Sequence, residues 1–285
     1  MVFSVVLYAQ AQNKQKFNYA FMRNRKIIIY NTQTKKETSL KKGYDPAISP
    51  DGEKIAYTDY NKKLKRHVEV MNLHTKKTKR LNVNNKNYWG AQWSLDNTHL
   101  AFNIFNDSRW DVALITDTGR QKYKIISGEI SSDLGVLLSS WTLDGKNIIV
   151  RTMDSLYVMD MDGNISNKTD LKLISGELVS SSDRRVLITA DKKYYVYDGD
   201  SDDDGYDKDG PPSAIYRYDM EKNEIKRLTP KGYDCRQPVL TDEGKILYEG
   251  AKFNTETLNV YSTDINGSTP VEILNNASGI SCSRK

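Results

Sequence analysis

Nowhere does the sequence stay apolar for the roughly 18 residues that a membrane-spanning helix needs, so no such helix is expected. Histidine is scarce. His67, His74 and His99 fall in three different segments, which argues against a histidine-based metal centre or a shared catalytic dyad. There is no Gly-x-Ser-x-Gly elbow and no Gly-x-x-x-x-Gly-Lys loop, so neither α/β-hydrolase nor P-loop chemistry is encoded. Two cysteines, Cys235 and Cys282, cannot make a disulfide scaffold. With 7 Pro, 38% hydrophobic and 28% charged residues, the chain is globular rather than disordered or collagen-like. Its 285 residues leave one or two domains open.

The formal charge of +5 hides an asymmetry: residues 1–90 hold 19 Lys and Arg against 6 Asp and Glu, the remainder 23 against 31. The basic runs Lys62-Lys63-Leu64-Lys65-Arg66 and Lys76-Lys77-Thr78-Lys79-Arg80 sit in separate segments without an aromatic platform. They read as solvated faces, and no nucleic-acid partner is expected. The amino terminus, Val2 to Gln12, is short and apolar and contains Ala9-Gln10-Ala11, the small-residue pattern of an export cleavage site. Residues 1–11 therefore read as a truncated signal peptide and 12–285 as one exported domain, periplasmic or secreted.

What the chain has in abundance is a repeat. A polar turn precedes a β-rich apolar run at Ser49-Pro50-Asp51-Gly52, Ser94-Leu95-Asp96-Asn97, Thr142-Leu143-Asp144-Gly145, Ser181-Ser182-Asp183-Arg184 and Thr241-Asp242-Glu243-Gly244. Ser, Thr and Asp bond nearby backbone amides, Pro presets φ and Gly tolerates positive φ, which is reversal chemistry. A second series, an apolar strand entering a polar hairpin, recurs at Asn31, Asn72, Thr116, Asp160, Asp219 and Thr263. A period in the low forties with four short strands per unit is the signature of a β-propeller blade. The expected fold is all-β: a six-bladed propeller with four antiparallel strands per blade, labelled A to D from the centre outward. Five A-to-B turns against six C-to-D hairpins imply that N- and C-terminal strands share one blade, the tail after Gly279 supplying its inner strand.

Ser49-Pro50-Asp51-Gly52 leading into Ile55-Ala56-Tyr57, the Val-Met-Asn and Val-Met-Asp strands, and Lys79-Arg80-Leu81-Asn82 with Lys226-Arg227-Leu228-Thr229 resemble the WD-like repeat of TolB-type propellers. The resemblance spans nearly the whole chain from about residue 17. It implies the six-bladed fold. The α/β domain that precedes the propeller in TolB itself has no counterpart in it, so a role in the Tol envelope complex does not follow.

Seven carboxylates crowd residues 198–209. Asp200, Asp202, Asp204 and Gly205 match alternate positions and the glycine of a calcium loop. Pro211 stands where an EF-hand has its glutamate, so Asp207 or Asp209 would complete the shell of a helix-free Ca2+ site. This insert lies between strands B and C of the fifth blade, on the face that also carries the D-to-A connections. That face brings it beside Tyr44 and Asp45, Tyr88 and Trp89, and Tyr233 and Asp234, the expected binding rim. Trp93 and Trp141 share one repeat position with Ile48 and read as packing between blades. Cys235 and Cys282 fall on neighbouring inner strands, where a closure disulfide is conceivable.

Function on such scaffolds resides in loops. The expectation is a non-enzymatic envelope or periplasmic protein whose rim, stabilised by calcium, engages another protein. The alternative is a carbohydrate-active enzyme, lyase or hydrolase, in which Asp45 and Asp234 act on a glycan as paired carboxylates at the channel mouth.

Overall fold

The computed structural model describes residues 18–284 apart from 62, 64, 119–121, 176–184 and 202–210. Residues 1–17, and with them the export segment, lie outside that set, as do Asp202, Asp204, Asp207 and Asp209. Among the described residues twenty-four strands form six four-stranded antiparallel sheets, and the one helix is the short Leu171–Ser175. Along the chain the inner strands of blades two to six are Tyr44–Ile48, Tyr88–Trp93, Leu137–Trp141, Val186–Ile188 and Tyr233–Leu240. The first blade is ordered Ser278–Cys282, Tyr19–Arg23, Lys26–Asn31, Lys36–Lys42, so its innermost strand comes from the C-terminal end. Tyr19 lies opposite Cys282 and Ala20 opposite Ser281 in that pairing.

Local chemistry explains the reversals. In the A-to-B turns the Ser49, Ser94 and Thr142 hydroxyls donate to Asp51, Asp96 and Asp144 at 2.5, 2.6 and 2.6 Å. The same hydroxyls accept the amides of Lys54, His99 and Asn147, which locks the turn from inside. Burial opposes ionisation of Asp96 and Asp144, but the hydroxyl and amide donors prevail and hold both carboxyls below their usual range. In the C-to-D hairpins Asn31, Asn72, Asp160, Asp219 and Asp264 each accept two backbone amides. The sixth marker is thus Asp264, one residue beyond Thr263.

The fifth blade corrects one expectation. Val186–Ile188 is its inner strand rather than its second, so the A-to-B turn is Thr189 to Lys192 and not Ser181 to Arg184, which lie outside the described residues. Thr189 donates to Asp191 at 2.6 Å and accepts the Tyr194 amide, as in the other blades. Lys192 adopts φ 58° where other copies place Gly or Asn, and this hid the turn. The acidic insert still falls between strands B and C, Tyr194–Asp200 and Ser213–Asp219.

The core lies between blades. Ala56 and Val68 of the second blade pack with Tyr88, Trp93, Leu100 and Phe102 of the third. Phe21 and Ile28 of the first pack with Val239, Leu247 and Val260 of the sixth and with Ile280 of the closing strand. Trp93 donates its indole N–H to Ala47 O at 2.9 Å and Trp141 to Gln92 O at 3.1 Å, each reaching back to the preceding blade. Outer strands are short and polar: Thr78–Arg80 and Ile165–Asp170 are almost wholly exposed, and their Lys, Arg and Asp residues discourage edge pairing.

No disulfide joins Cys235 to Cys282. The Cys282 thiol sits 3.7 Å from Leu240 O, at the far end of the inner strand that carries Cys235. Five residues of extended chain, roughly 16 Å, separate those ends.

Candidate binding site at the channel mouth

The inner strands surround a cavity of about 880 Å³ lined by all six blades. Their first residues, together with the B-to-C and D-to-A connections, form one mouth of it. The second strand of each blade carries a repeated pair, an apolar residue pointing between blades and the next residue pointing toward the channel wall. These pairs are Phe21-Met22, Tyr57-Thr58, Phe102-Asn103, Val150-Arg151, Tyr197-Asp198 and Tyr248-Glu249. Four of the second members bond the next blade's inner strand. Thr58 accepts the Gly90 amide at 3.1 Å, Asn103 that of Leu138 at 2.7 Å, Asp198 that of Gln237 at 3.2 Å, and Glu249 that of Gly279.

The reason is a bulge. The inner strands lose register by one residue at Tyr44/Ala47, Trp89/Gln92, Leu138/Ser140 and Arg236/Val239, and the closing strand does so opposite Ala20/Met22. A bulge strands an amide away from its ladder. A buried amide needs a partner, and the preceding blade supplies it. Gly90 and Gly279 sit in these bulges at φ 65° and 64°, where a Cβ on Gly279 would come within 2.8 Å of Met22.

At the mouth, the Arg66 guanidinium packs against two indoles at once, 4.8 Å from the Trp89 ring centre and 4.9 Å from that of Trp110. Trp89 and Trp110 meet edge to face at 6.1 Å, and Phe105 leans on Trp110 at 5.2 Å. Arg66 Nε donates to Asn87 Oδ1 at 2.9 Å, which fixes the fork against the rings. Tyr44 and Tyr60 add a second edge-to-face pair at 5.0 Å. Trp110 is clamped from behind by Gly135, where a Cβ would collide with the Trp110 backbone, so only glycine fits. Tyr60 and Phe105 are each 41% exposed and Leu134 is 66% exposed, a concentration of apolar area that a face built only for solvent has no use for.

Of the expected rim residues, Tyr44, Asp45 and Trp89 line the cavity. The Trp89 indole N–H is buried without a partner among the described residues. Tyr88 is fully buried inside the blade, donating to Leu81 O and accepting from Arg80, because neighbouring residues of a strand face opposite sides. Tyr233 packs edge to face on Tyr261. Asp234 is held by Arg236 at 2.7 and 3.0 Å and by the Ser213 amide at 2.9 Å, outside the cavity wall that contains Asp45. Asp200 ends its strand opposite Ser213. Tyr60, Arg66, Phe105 and Trp110 complete the mouth and were not singled out from the sequence. Their signal is position: each sits at the B-to-C end of its blade, next to the rim.

Deeper in, charge is buried. Burial pushes the Glu249 carboxyl up to about 7, opposed by the Gly279 amide and the Arg185 charge. Arg185, just before the fifth inner strand, is partly buried and lines the cavity. Burial lowers its pKa, with Asp198, Glu249 and Asp45 working against that fall. On the second blade Asp59, His67 and Glu69 offer ligand atoms within 4.8 Å of one another. The Lys41 ammonium already bonds Glu69 at 3.0 Å and Asp59 at 3.4 Å, so it stands where a metal ion would. Tyr57 also donates to Glu69 at 2.5 Å.

No family model matches the chain, and no curated protein does. Solved structures do. TolB from Acinetobacter baumannii superposes with a TM-score of 0.67 at 15% identity, over 94% of this chain and 67% of that one. The fold is that of the TolB-type six-bladed propellers. A protein described as TolB from Agrobacterium tumefaciens gives 0.64 at 14% identity, over 93% of this chain and 92% of that one. The propeller domain of the Trilobed protease from Pyrococcus furiosus, described as having an open velcro topology, gives 0.54 at 17% over 91% and 86%. In the present chain the C-terminal strand pairs with the first.

Proposed function

We propose that this protein is an exported, non-enzymatic binding protein of the bacterial envelope or periplasm that presents its channel mouth to a protein partner. The observation that carries this reading is the Arg66 fork packed against both Trp89 and Trp110, with Tyr60 and Phe105 half exposed beside it. Pre-ordered aromatic and arginine side chains ringed by weaker contacts are what protein hot spots are made of. The TolB-type fold supports a binding role, and the apolar segment ending at Ala11 supports export. Calcium held by Asp200, Asp202, Asp204, Asp207 and Asp209 would neutralise the acidic insert that leaves the fifth blade on this same face.

The test is affinity capture from envelope extract with and without calcium, comparing the wild type with Tyr60→Ser/Phe105→Ser. One protein should be retained by the wild type when calcium is present. The double variant should lose it by at least about tenfold, as expected for two hot-spot side chains. Equal capture by both forms, or turnover of an acidic glycan by the purified protein, would overturn the reading.

A further inference from the structure

Strand alternation sorts the side chains of the second blade. On its strands Lys54–Tyr60 and Arg66–Asn72, the odd-numbered residues face the first blade, where Ile55, Tyr57 and Met71 pack with Ile27 and Ile29. On that face Asp59 stands opposite His67, and Tyr57 opposite Glu69. Tyr60 and Arg66 belong to the other face, so this cluster is distinct from the aromatic mouth. His67 is 7% exposed, and its Nδ1 has no hydrogen-bond partner among the described residues. Buried polar atoms normally have one. With the proton on Nδ1, the imidazole turns the lone pair of Nε2 toward Glu69 Oε1, 3.5 Å away. A tetrahedral zinc ion with ligands at about 2.0 to 2.2 Å holds neighbouring ligand atoms roughly 3.3 to 3.6 Å apart, a spacing that His67 and Glu69 already have. All three ligand atoms lie within 4.8 Å of one another, so Asp59 needs to close in by at most about 1.5 Å. The Lys41 ammonium of the first blade's outer strand fills the centre, bonding Glu69 at 3.0 Å and Asp59 at 3.4 Å. Its side chain is 39% exposed, so it can turn out to solvent and leave no buried charge behind.

We propose that Asp59, His67 and Glu69 form a site for a zinc-class divalent metal ion, with water as fourth ligand, and that the ion enters by displacing the Lys41 ammonium. Lys41 supplies one positive charge for two carboxylates; a divalent ion supplies two and also takes the imidazole nitrogen. One imidazole with two carboxylates suits Zn2+ and its transition-metal neighbours. It offers too few oxygens for Ca2+, which takes six to eight. The acidic insert of the fifth blade, which contains no histidine, has the opposite preference, so the two sites separate by ion. Binding here is also independent of the mouth and of any protein held there.

Isothermal titration of the chelator-stripped full chain with ZnCl2 tests this, with Co2+ as a visible-absorption probe of tetrahedral geometry. Saturable zinc binding with a Kd of about 1 to 100 µM is expected, undiminished by excess Mg2+ or Ca2+. Asp59→Asn and His67→Gln should each weaken it by at least about a hundredfold, beyond the 10- to 100-fold that outer-shell partners are worth, and abolish the Co2+ spectrum. Lys41→Met should tighten it by at least about tenfold, because the competing charge is gone; loss of a merely structural ion pair would not do so. Should His67→Gln fail to fold, Asp59→Asn carries the test, since Asp59 is 31% exposed. Three results would each overturn the proposal: no saturable zinc binding below about 1 mM, a Lys41→Met variant that binds no tighter, or an Asp59→Asn variant that binds like the wild type.

Discussion

Removing residues 278–285 is expected to abolish cooperative folding or to lower the melting temperature by more than about 10 °C. The segment joins three blades at once. It pairs with Tyr19–Arg23, buries Ile280 against Phe21, Val239 and Leu247, and gives the Gly279 amide to Glu249. Ser281 Oγ accepts the Ile48 amide at 3.1 Å, and the Arg284 amide bonds Pro50 O at 3.0 Å, which reaches the second blade. Its loss would turn Tyr19–Arg23 into an open inner edge with fully buried Ala20 and Phe21 uncovered, a template for aggregation. Burying one Ile is worth about 2 to 3 kcal/mol, and the ladder and the orphaned Glu249 add to it. Circular dichroism melts with size-exclusion chromatography measure the outcome. A monomer melting at the wild-type temperature would contradict the closure.

Glu249→Gln is expected to stabilise the protein at pH 8 and to change it little at pH 5. The carboxyl is raised from 4.5 to about 7 in the folded chain by burial. Below the unfolded value both states hold the proton. As pH rises through the window from there to about 7, the folded state keeps a proton that the unfolded state releases, so stability is lost across that interval. The shift corresponds to roughly 3 kcal/mol. Glutamine keeps an acceptor for the Gly279 amide while removing the buried charge. The variant should therefore melt about 6 to 12 °C above the wild type at pH 8, with the two curves converging near pH 5. Parallel melting curves across that range would show that Glu249 does not carry a buried charge.

The propeller is legible because its signals are local. A hydroxyl and a carboxylate two residues apart close an A-to-B turn through their own backbone, and the amide-catching Asn or Asp of each outer hairpin does likewise. The fifth blade misled because Lys192 takes the positive φ usually given to glycine, while Ser181 to Arg184 imitates the motif. Turns at 49, 94, 142, 189 and 241 give steps of 45, 48, 47 and 52, more even than any spacing that includes Ser181. The column of residues after the apolar position of each second strand, from Met22 to Glu249, is equally regular, and it marks the channel wall.

The site is less legible because ring closure, rather than local pattern, assembles it. Tyr44, Asp45 and Trp89 reach the cavity, whereas Tyr88 turns into the core by the alternation of its strand. Arg66 belongs to a basic run that reads as solvated. Only the third blade, by packing Trp89 and Trp110 against it, turns it into a recognition element.

The shared blade is tested most directly by Tyr19→Cys in a Cys235→Ala background. Tyr19 and Cys282 are paired across the first and last strands, and antiparallel partners stand about 4.5 to 5.5 Å apart at Cα, within reach of a disulfide. Mild oxidation of the folded protein should join the introduced thiol to Cys282 in one chain, seen as a single cross-linked peptide by mass spectrometry and as faster migration on a non-reducing gel. Two unreacted thiols in a folded protein would contradict the account, because the mouth, the cavity and every contact placed on them depend on that closed ring.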